Sequence, residues 1–158
     1  MPEQAMKIAE KLASEGKKTE AFFGGLAAEY WGTVVYSDET TWHVHQILAH
    51  FVSAETSILQ LVQGVVAGQA GVAKDFDLEA FNQQQVTELQ VRVPSELVQL
   101  FAQARAATVA FVAGLPAEDL ERLGQHPWLG QTSVAEMLKL MYRHNQIHQR
   151  DIKRVIRV

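Results

Sequence analysis

The segment from Met137 to Val158, MLKLMYRHNQIHQRDIKRVIRV, places the tightest constraint on how this chain can fold. At about 100° per residue, Val134, Met137, Met141, His144, His148, Ile152 and Val155 fall on one helical stripe, with Lys139, Arg143, Gln146, Arg150 and Lys153 opposite. A helix with that pattern has to bury two histidines. An unpaired imidazole in a core costs on the order of 1–3 kcal/mol, so something must satisfy both rings. His144 and His148 lie four apart, on adjacent turns of one face, the spacing that lets two imidazoles bind one divalent ion. Two hydrogen-bonded core histidines are the alternative.

The remaining composition narrows the chemistry. A chain of 158 residues fits one domain, residues 1–158, with a sizeable core. A net charge of -4 leaves no basic footprint, so nucleic acid is not an expected partner. The cluster Arg150, Lys153, Arg154 and Arg157 reads as a solvated face whose cations suit a helix C-terminus. There is no cysteine, so any metal must be held by nitrogen and oxygen, and any thiol chemistry must use a thiol from outside. The N-terminal residues are amphipathic and charged, and no run reaches the roughly 18 apolar residues of a spanning helix. A cytoplasmic protein without membrane association is expected.

Periodicity predicts four long helices. The first runs from Glu3 to Trp31, weakened at Gly16 and at Gly24-Gly25, where a bend or split within one long packed element is allowed, and ends at Gly32. Val34, Val35 and Tyr36 form an extended connection carrying apolar anchors, with no convincing strand anywhere. Ser37 to Thr41 supplies cap candidates and first-turn acids for a second helix from about Thr41 to Val66. Its stripe holds Val44, Ile47, Phe51, Ala54, Ile58, Leu61, Val62 and Val65, with His50 at the edge and Glu55 inside. Residues 69–93 form a longer crossover, with a short helix capped by Asp77. Pro94 opens a third helix to about Gly114, with Arg105 near its inner stripe. His126 to Gly130 is a loop, and Thr132 or Ser133 caps the fourth helix. The fold class is all-α, a four-helix bundle whose longer crossover joins helices 2 and 3, and such bundles place metal sites between facing helices.

Of six histidines, His50 is the natural third partner for His144 and His148, because it sits well inside a helix beside an apolar stripe. Three imidazoles with an open position make a catalytic rather than a closed structural site. His43 lies two turns from His50, about 10.5 Å along the axis and too far to share an ion with it, and His45 is turned away; both read as exposed or capping residues. His126 reads as a surface turn residue or, alternatively, as part of the rim of the site. Asp151 either orients a ligand imidazole or pairs with Arg154 or Lys153. Glu55 must be paired or protonated, and a buried pair with Arg105 is preferred to a general base. An ion held by neutral imidazoles keeps its +2 charge and acidifies whatever fills its open position, either water or a low-molecular-weight thiol.

The stretch WHVHQILAHFVSAE, with Trp42 and His50, resembles the second helix of the DinB/YfiT-like superfamily of metal-dependent enzymes. HPWLGQTSVAEMLKLMYRHNQIHQRD is similar to that superfamily's last helix with its His-x-x-x-His pair, and DFDLEAFNQQQV resembles the crossover of one branch. The resemblance spans nearly the whole chain. It implies that His50, His144 and His148 are ligands of one divalent ion, zinc, nickel, manganese or iron, in what is commonly a homodimer. Many relatives carry aspartate directly after the first histidine of the pair, where this chain has Asn145. Relatives include thiol-dependent S-transferases and a thiol-dependent isomerase, which implies a small-molecule substrate and an external thiol. A hydrolase using water is the variant of this expectation. Independently of the resemblance, the loop location of Asn82 and His126 makes them candidate polar groups near the open position. The competing expectation is a non-catalytic metal-binding or stress-associated bundle.

Overall fold

The computed structural model describes residues 3–38 and 40–156; Glu39 of the expected cap segment, and Arg157 of the basic cluster, lie outside the described residues. Four long helices form the bundle: α1 (Glu3–Gly24), α2 (Val44–Val66), α4 (Pro94–Ala113) and α6 (Val134–Ile156). Helix α3 (Leu78–Leu89) lies in the crossover between α2 and α4, and α5 (Ala117–Leu120) is a single turn after α4. Helices α1 and α2 both pack on α4 and on α6. No helix among the described residues is long and apolar enough to cross a membrane.

Two expectations need correction. The first helix stops at Gly24, and a short 3-10 turn at Ala28–Tyr30 carries the chain onward. Strands are present too. Strand β1 (Val34–Tyr36) pairs antiparallel with β2 (Trp42–His43) across an irregular register, and β3 (Leu123–His126) pairs with β4 (Gly130–Ser133). Each is too short to display a period of two, so nothing in the residue pattern separated it from loop.

The hairpins prepare the two helices that carry the histidines. Helix α2 begins at Val44 rather than Thr41, because the β1 approach supplies its cap. The amides of Val44 and His45 donate to the Thr33 and Trp31 carbonyls at 3.0 and 3.1 Å, and the His43 amide donates to Gln46 Oε1 at 2.8 Å. Ser133, at the end of β4, caps α6 by accepting from the Glu136 amide at 3.2 Å. Asp77 caps α3 as expected, accepting from Ala80 at 3.0 Å.

The interior is two apolar clusters separated by a polar layer. One cluster gathers residues such as Leu12, Val65, Val112 and Leu138, and the other Phe23, Ile47, Phe51, Phe101 and Ile152. Between them Arg105 of α4 donates from Nε and Nη2 to the two Glu55 oxygens at 2.7 and 2.9 Å, from Nη2 to Asn145 Oδ1 at 2.6 Å, and from Nη1 to the Leu12 carbonyl at 3.0 Å. All four long helices meet at this guanidinium. The preferred pairing of Glu55 is therefore the one formed. Gly16 is what admits it: a Cβ there would stand 2.8 Å from Arg105 Cγ. At the end of α6 the wheel is off by one residue, since Val155 is exposed and Ile156 buried.

Candidate metal centre

His50 faces inward from α2, while His144 and His148 project from adjacent turns of α6. His144 Nε2 lies 3.1 Å from His50 Nε2 and 2.9 Å from His148 Nε2. One nitrogen from each ring falls within a 4.8 Å group. Around a tetrahedral ion with metal–nitrogen distances of about 2.0–2.1 Å, neighbouring ligand nitrogens stand about 3.3 Å apart, close to this spacing.

The neighbours of the site dictate which nitrogens carry hydrogen. Tyr36 of β1 donates its single hydroxyl hydrogen to Asp151 Oδ2 at 2.5 Å and lies 2.8 Å from His148 Nδ1. Burial pushes the Asp151 carboxyl up, but hydrogen bonds from Tyr36 and Arg150 outweigh it and hold the group below the usual carboxylate range. Burial, and then Asp151, push the Tyr36 phenol well above its ordinary value, so it stays protonated. The hydroxyl oxygen is thus left to accept from His148 Nδ1–H, and His148 Nε2 presents a bare lone pair to its neighbours.

That assignment tests whether a cation fits. With His148 Nε2 bare, His144 Nε2 shares a hydrogen with only one of its two close neighbours at a time. One of the two short approaches therefore lacks a hydrogen of its own, whereas a cation at the convergence point satisfies all three lone pairs at once. The rings are neutral, as ligation requires: burial pushes His50 down to about 3 and His148 down to about 4, and it also lowers His144 well below its ordinary value. Trp42 covers His50 at 5.0 Å between ring centroids, and Phe51 packs against His144 and His148 at 5.9 and 5.7 Å. His50 Nδ1 is buried with no partner among the described residues.

Beside the imidazoles opens a cavity of about 560 Å³ whose walls include Ala54, Ile58 and Leu61 of α2, Phe81 and Asn82 of α3, and Met141 of α6. These α2 positions belong to the expected apolar stripe yet stay only partly buried, because the cavity is what they face. The hairpin β3–β4 supplies His126, Pro127 and Trp128 to the same wall. The crossover is tied to that hairpin, with the Gln125 amide donating to the Ala70 carbonyl at 2.8 Å and the Val72 amide to the Gln125 carbonyl at 2.9 Å.

The candidate residues sort as follows. His50, His144 and His148 are brought together, and Asn82 lines the adjoining cavity. His43 and His45 are not part of the site: the His43 side chain caps α2, with Nδ1 2.8 Å from Gln46 Oε1, and His45 Nε2 donates to the Arg92 carbonyl at 2.9 Å. His126 is not a surface residue. It is 4% exposed, its Nδ1 accepts from the amides of Trp128 and Leu129 at 3.0 and 3.1 Å, and burial pushes it down to about 4. Asp151 pairs with Arg154 at 3.9 Å, as one of its two expected roles had it, and also lies 3.3 Å from Arg150; it bonds no imidazole directly and reaches His148 only through the Tyr36 hydroxyl. Tyr36 went unread in the sequence. Over a hundred residues separate it from His148, and only a polar group inside an otherwise apolar anchor segment hinted at a role.

Comparison with known proteins places this architecture. The family of the mycothiol maleylpyruvate isomerase N-terminal domain matches residues 12–153. Among solved structures, the mycothiol-dependent maleylpyruvate isomerase superposes with a TM-score of 0.75 at 12% identity, over 96% of this chain and 60% of that one. A histidine-to-alanine mutant of that enzyme gives 0.74 at 12% identity, with the same coverage of both chains. YfiT from Bacillus subtilis, described as a probable metal-dependent hydrolase with an unusual four-helix bundle topology, gives 0.72 at 16% identity, over 99% of this chain and 86% of that one. No curated protein sequence matches significantly. At such identities the structural likeness is one of fold, and this chain spans 60% of the isomerase's length. The sequence match over most of the chain carries the assignment: the protein belongs to the mycothiol maleylpyruvate isomerase N-terminal domain family, within the DinB/YfiT-like superfamily that its helix motifs resemble.

Proposed function

We propose that His50, His144 and His148 hold one divalent ion, and that the protein uses it on a small-molecule substrate in the adjoining cavity, as a thiol-dependent S-transferase or isomerase. The observation that carries this is the convergence of three neutral Nε2 atoms in the wall of a cavity. An all-imidazole donor set suits zinc, nickel or iron better than magnesium or calcium. Once bound, the ion supplies a concentrated positive charge that acidifies a thiol or a water in its open position. The chain's own residues do the rest. Tyr36, anchored by Asp151, keeps His148 in the ligating tautomer; Trp42 and Phe51 keep water off the rings; Asn82 and His126 offer uncharged hydrogen-bonding groups to the substrate.

The absence of cysteine is compatible with a nucleophilic sulfur supplied by an external thiol, and the family membership favours that chemistry. The fold likeness to YfiT supports a second reading, in which water takes the same place. The superfamily resemblance supports a homodimer, which light scattering would test. Elemental analysis of tag-free protein should find about one ion per chain, with a large loss in His148→Ala. Chelation should abolish thiol consumption, assayed with mycothiol as donor, while barely moving the melting temperature. A large drop in melting temperature in a protein without thiol or hydrolase activity would instead favour an ion that only holds the bundle together.

A further inference from the structure

Apart from an ion held by the three histidines, the cavity beside them offers no free charge to a substrate. None of its lining residues among those described is a lysine or an arginine. Its one carboxylate, Glu55, is 3% exposed and bonded through both oxygens to Arg105. Arg105 is itself 3% exposed, and its remaining hydrogen bonds go to Asn145 and the Leu12 carbonyl. That guanidinium is committed to the polar layer and cannot turn toward a ligand. The walls are otherwise made by side chains such as Phe51, Ile58, Leu61, Phe76, Phe81 and Met141, and the polar groups among them are uncharged, notably Asn82 and Gln60. An ion on the histidines would offset at most a carboxylate that reaches it, and burying a second one among such groups without a cationic partner is strongly unfavourable, whereas an apolar body gains by leaving water.

We infer that the acceptor molecule taken by this cavity is uncharged and mainly apolar, with a neutral polar group such as an ester or ketone carbonyl, and is not a dicarboxylate. This rests on the reading of the cavity as the substrate site of the metal centre. It assigns this chain a substrate class different from the dianion that the name of its structural relative implies. A volume of about 560 Å³ suits a small aromatic or branched aliphatic molecule. Addition of a thiol to an unsaturated carbonyl acceptor of this kind forms one C–S and one C–H bond while the S–H bond and the C=C π bond break. The proton lost by sulfur ends on carbon, and no oxidant or reductant is needed.

Binding to the full chain carrying its ion tests the inference, and the metal-free chain measured alongside separates it from the metal reading. The uncharged dye Nile red serves as the fluorescent probe, and diethyl maleate and maleate compete as a pair that shares a carbon skeleton and differs in charge. The diester should displace the dye at concentrations at least about tenfold lower than the dianion. Phe81→Arg should narrow or reverse that ratio, with circular dichroism reporting its fold. Equal competition by maleate, or no dye binding by the parent chain, would overturn the inference. The parent competition decides the matter even if the variant fails to fold. Loss of the ion in elemental analysis, with this preference retained, would sink the metal reading alone.

Discussion

Tyr36 has one hydroxyl hydrogen and gives it to Asp151, so its oxygen can only accept from His148. Phenylalanine at this position preserves the edge-to-face packing against His148, whose ring centroid lies 5.6 Å away, and removes only that hydrogen bond. Tyr36→Phe should therefore weaken metal binding about 10–100-fold with little change in melting temperature, as read by titration against a chelator; unchanged affinity would show that Tyr36 has no such role. His126 makes a separate prediction. It accepts two amide hydrogens at Nδ1, so protonating that atom breaks the loop it organises. Its folded value of about 4 lies below the ordinary 6.5. Below pH 6.5 the unfolded chain takes up a proton that the folded chain refuses until about pH 4, so stability is full above that window and falls as pH drops through it. His126→Gln, which keeps an acceptor without the titration, should lose less stability between neutral and mildly acidic pH than the parent in urea unfolding. Equal losses would remove His126 as a contributor.

Among the elements, the hairpin β3–β4 does the most with the least sequence signal. It places His126 in the cavity wall, ends at the Ser133 cap of α6, and pins the crossover through Gln125. It lies close against α2 because residue 124 is glycine: a Cβ there would stand 2.5 Å from Val65 Cγ2 and 3.4 Å from Met137 Cε. Gly124→Ala should cost about 1–3 kcal/mol by overpacking, measured by chemical denaturation, and a neutral result would mean the hairpin has room to shift. The long helices were legible because an amphipathic stripe repeats over five or six turns. The end of α2 at Val66, the Pro94 start of α4 and the Ser133 cap all fall where local signals put them. The start of α2 does not, since its cap is made by carbonyls from Trp31 and Thr33, which no local pattern reports.

At the scale of the molecule, Arg105 joins α1, α2, α4 and α6 at a layer between two apolar clusters. Removing its carboxylate partner strands a buried cation. Glu55→Ala should destabilise the protein by about 3–5 kcal/mol in chemical denaturation, and a loss under about 1 kcal/mol would show that Asn145 and the Leu12 carbonyl suffice to hold the charge. Asn145 takes its place as an acceptor in this layer. The sequence by itself determined the long helices, the bundle and that His50, His144 and His148 lie on inward helical faces, because those follow from local periodicity and from burial along single segments. It also determined that Glu55 needed a partner, because an apolar stripe leaves a lone carboxylate no other choice. Only the tertiary structure decided that Tyr36 sets the tautomer of His148, that His126 is buried, and that the cavity carries no free charge. Those depend on which distant segments meet, and the free energy of such meetings is a sum over contacts that no short stretch of chain records.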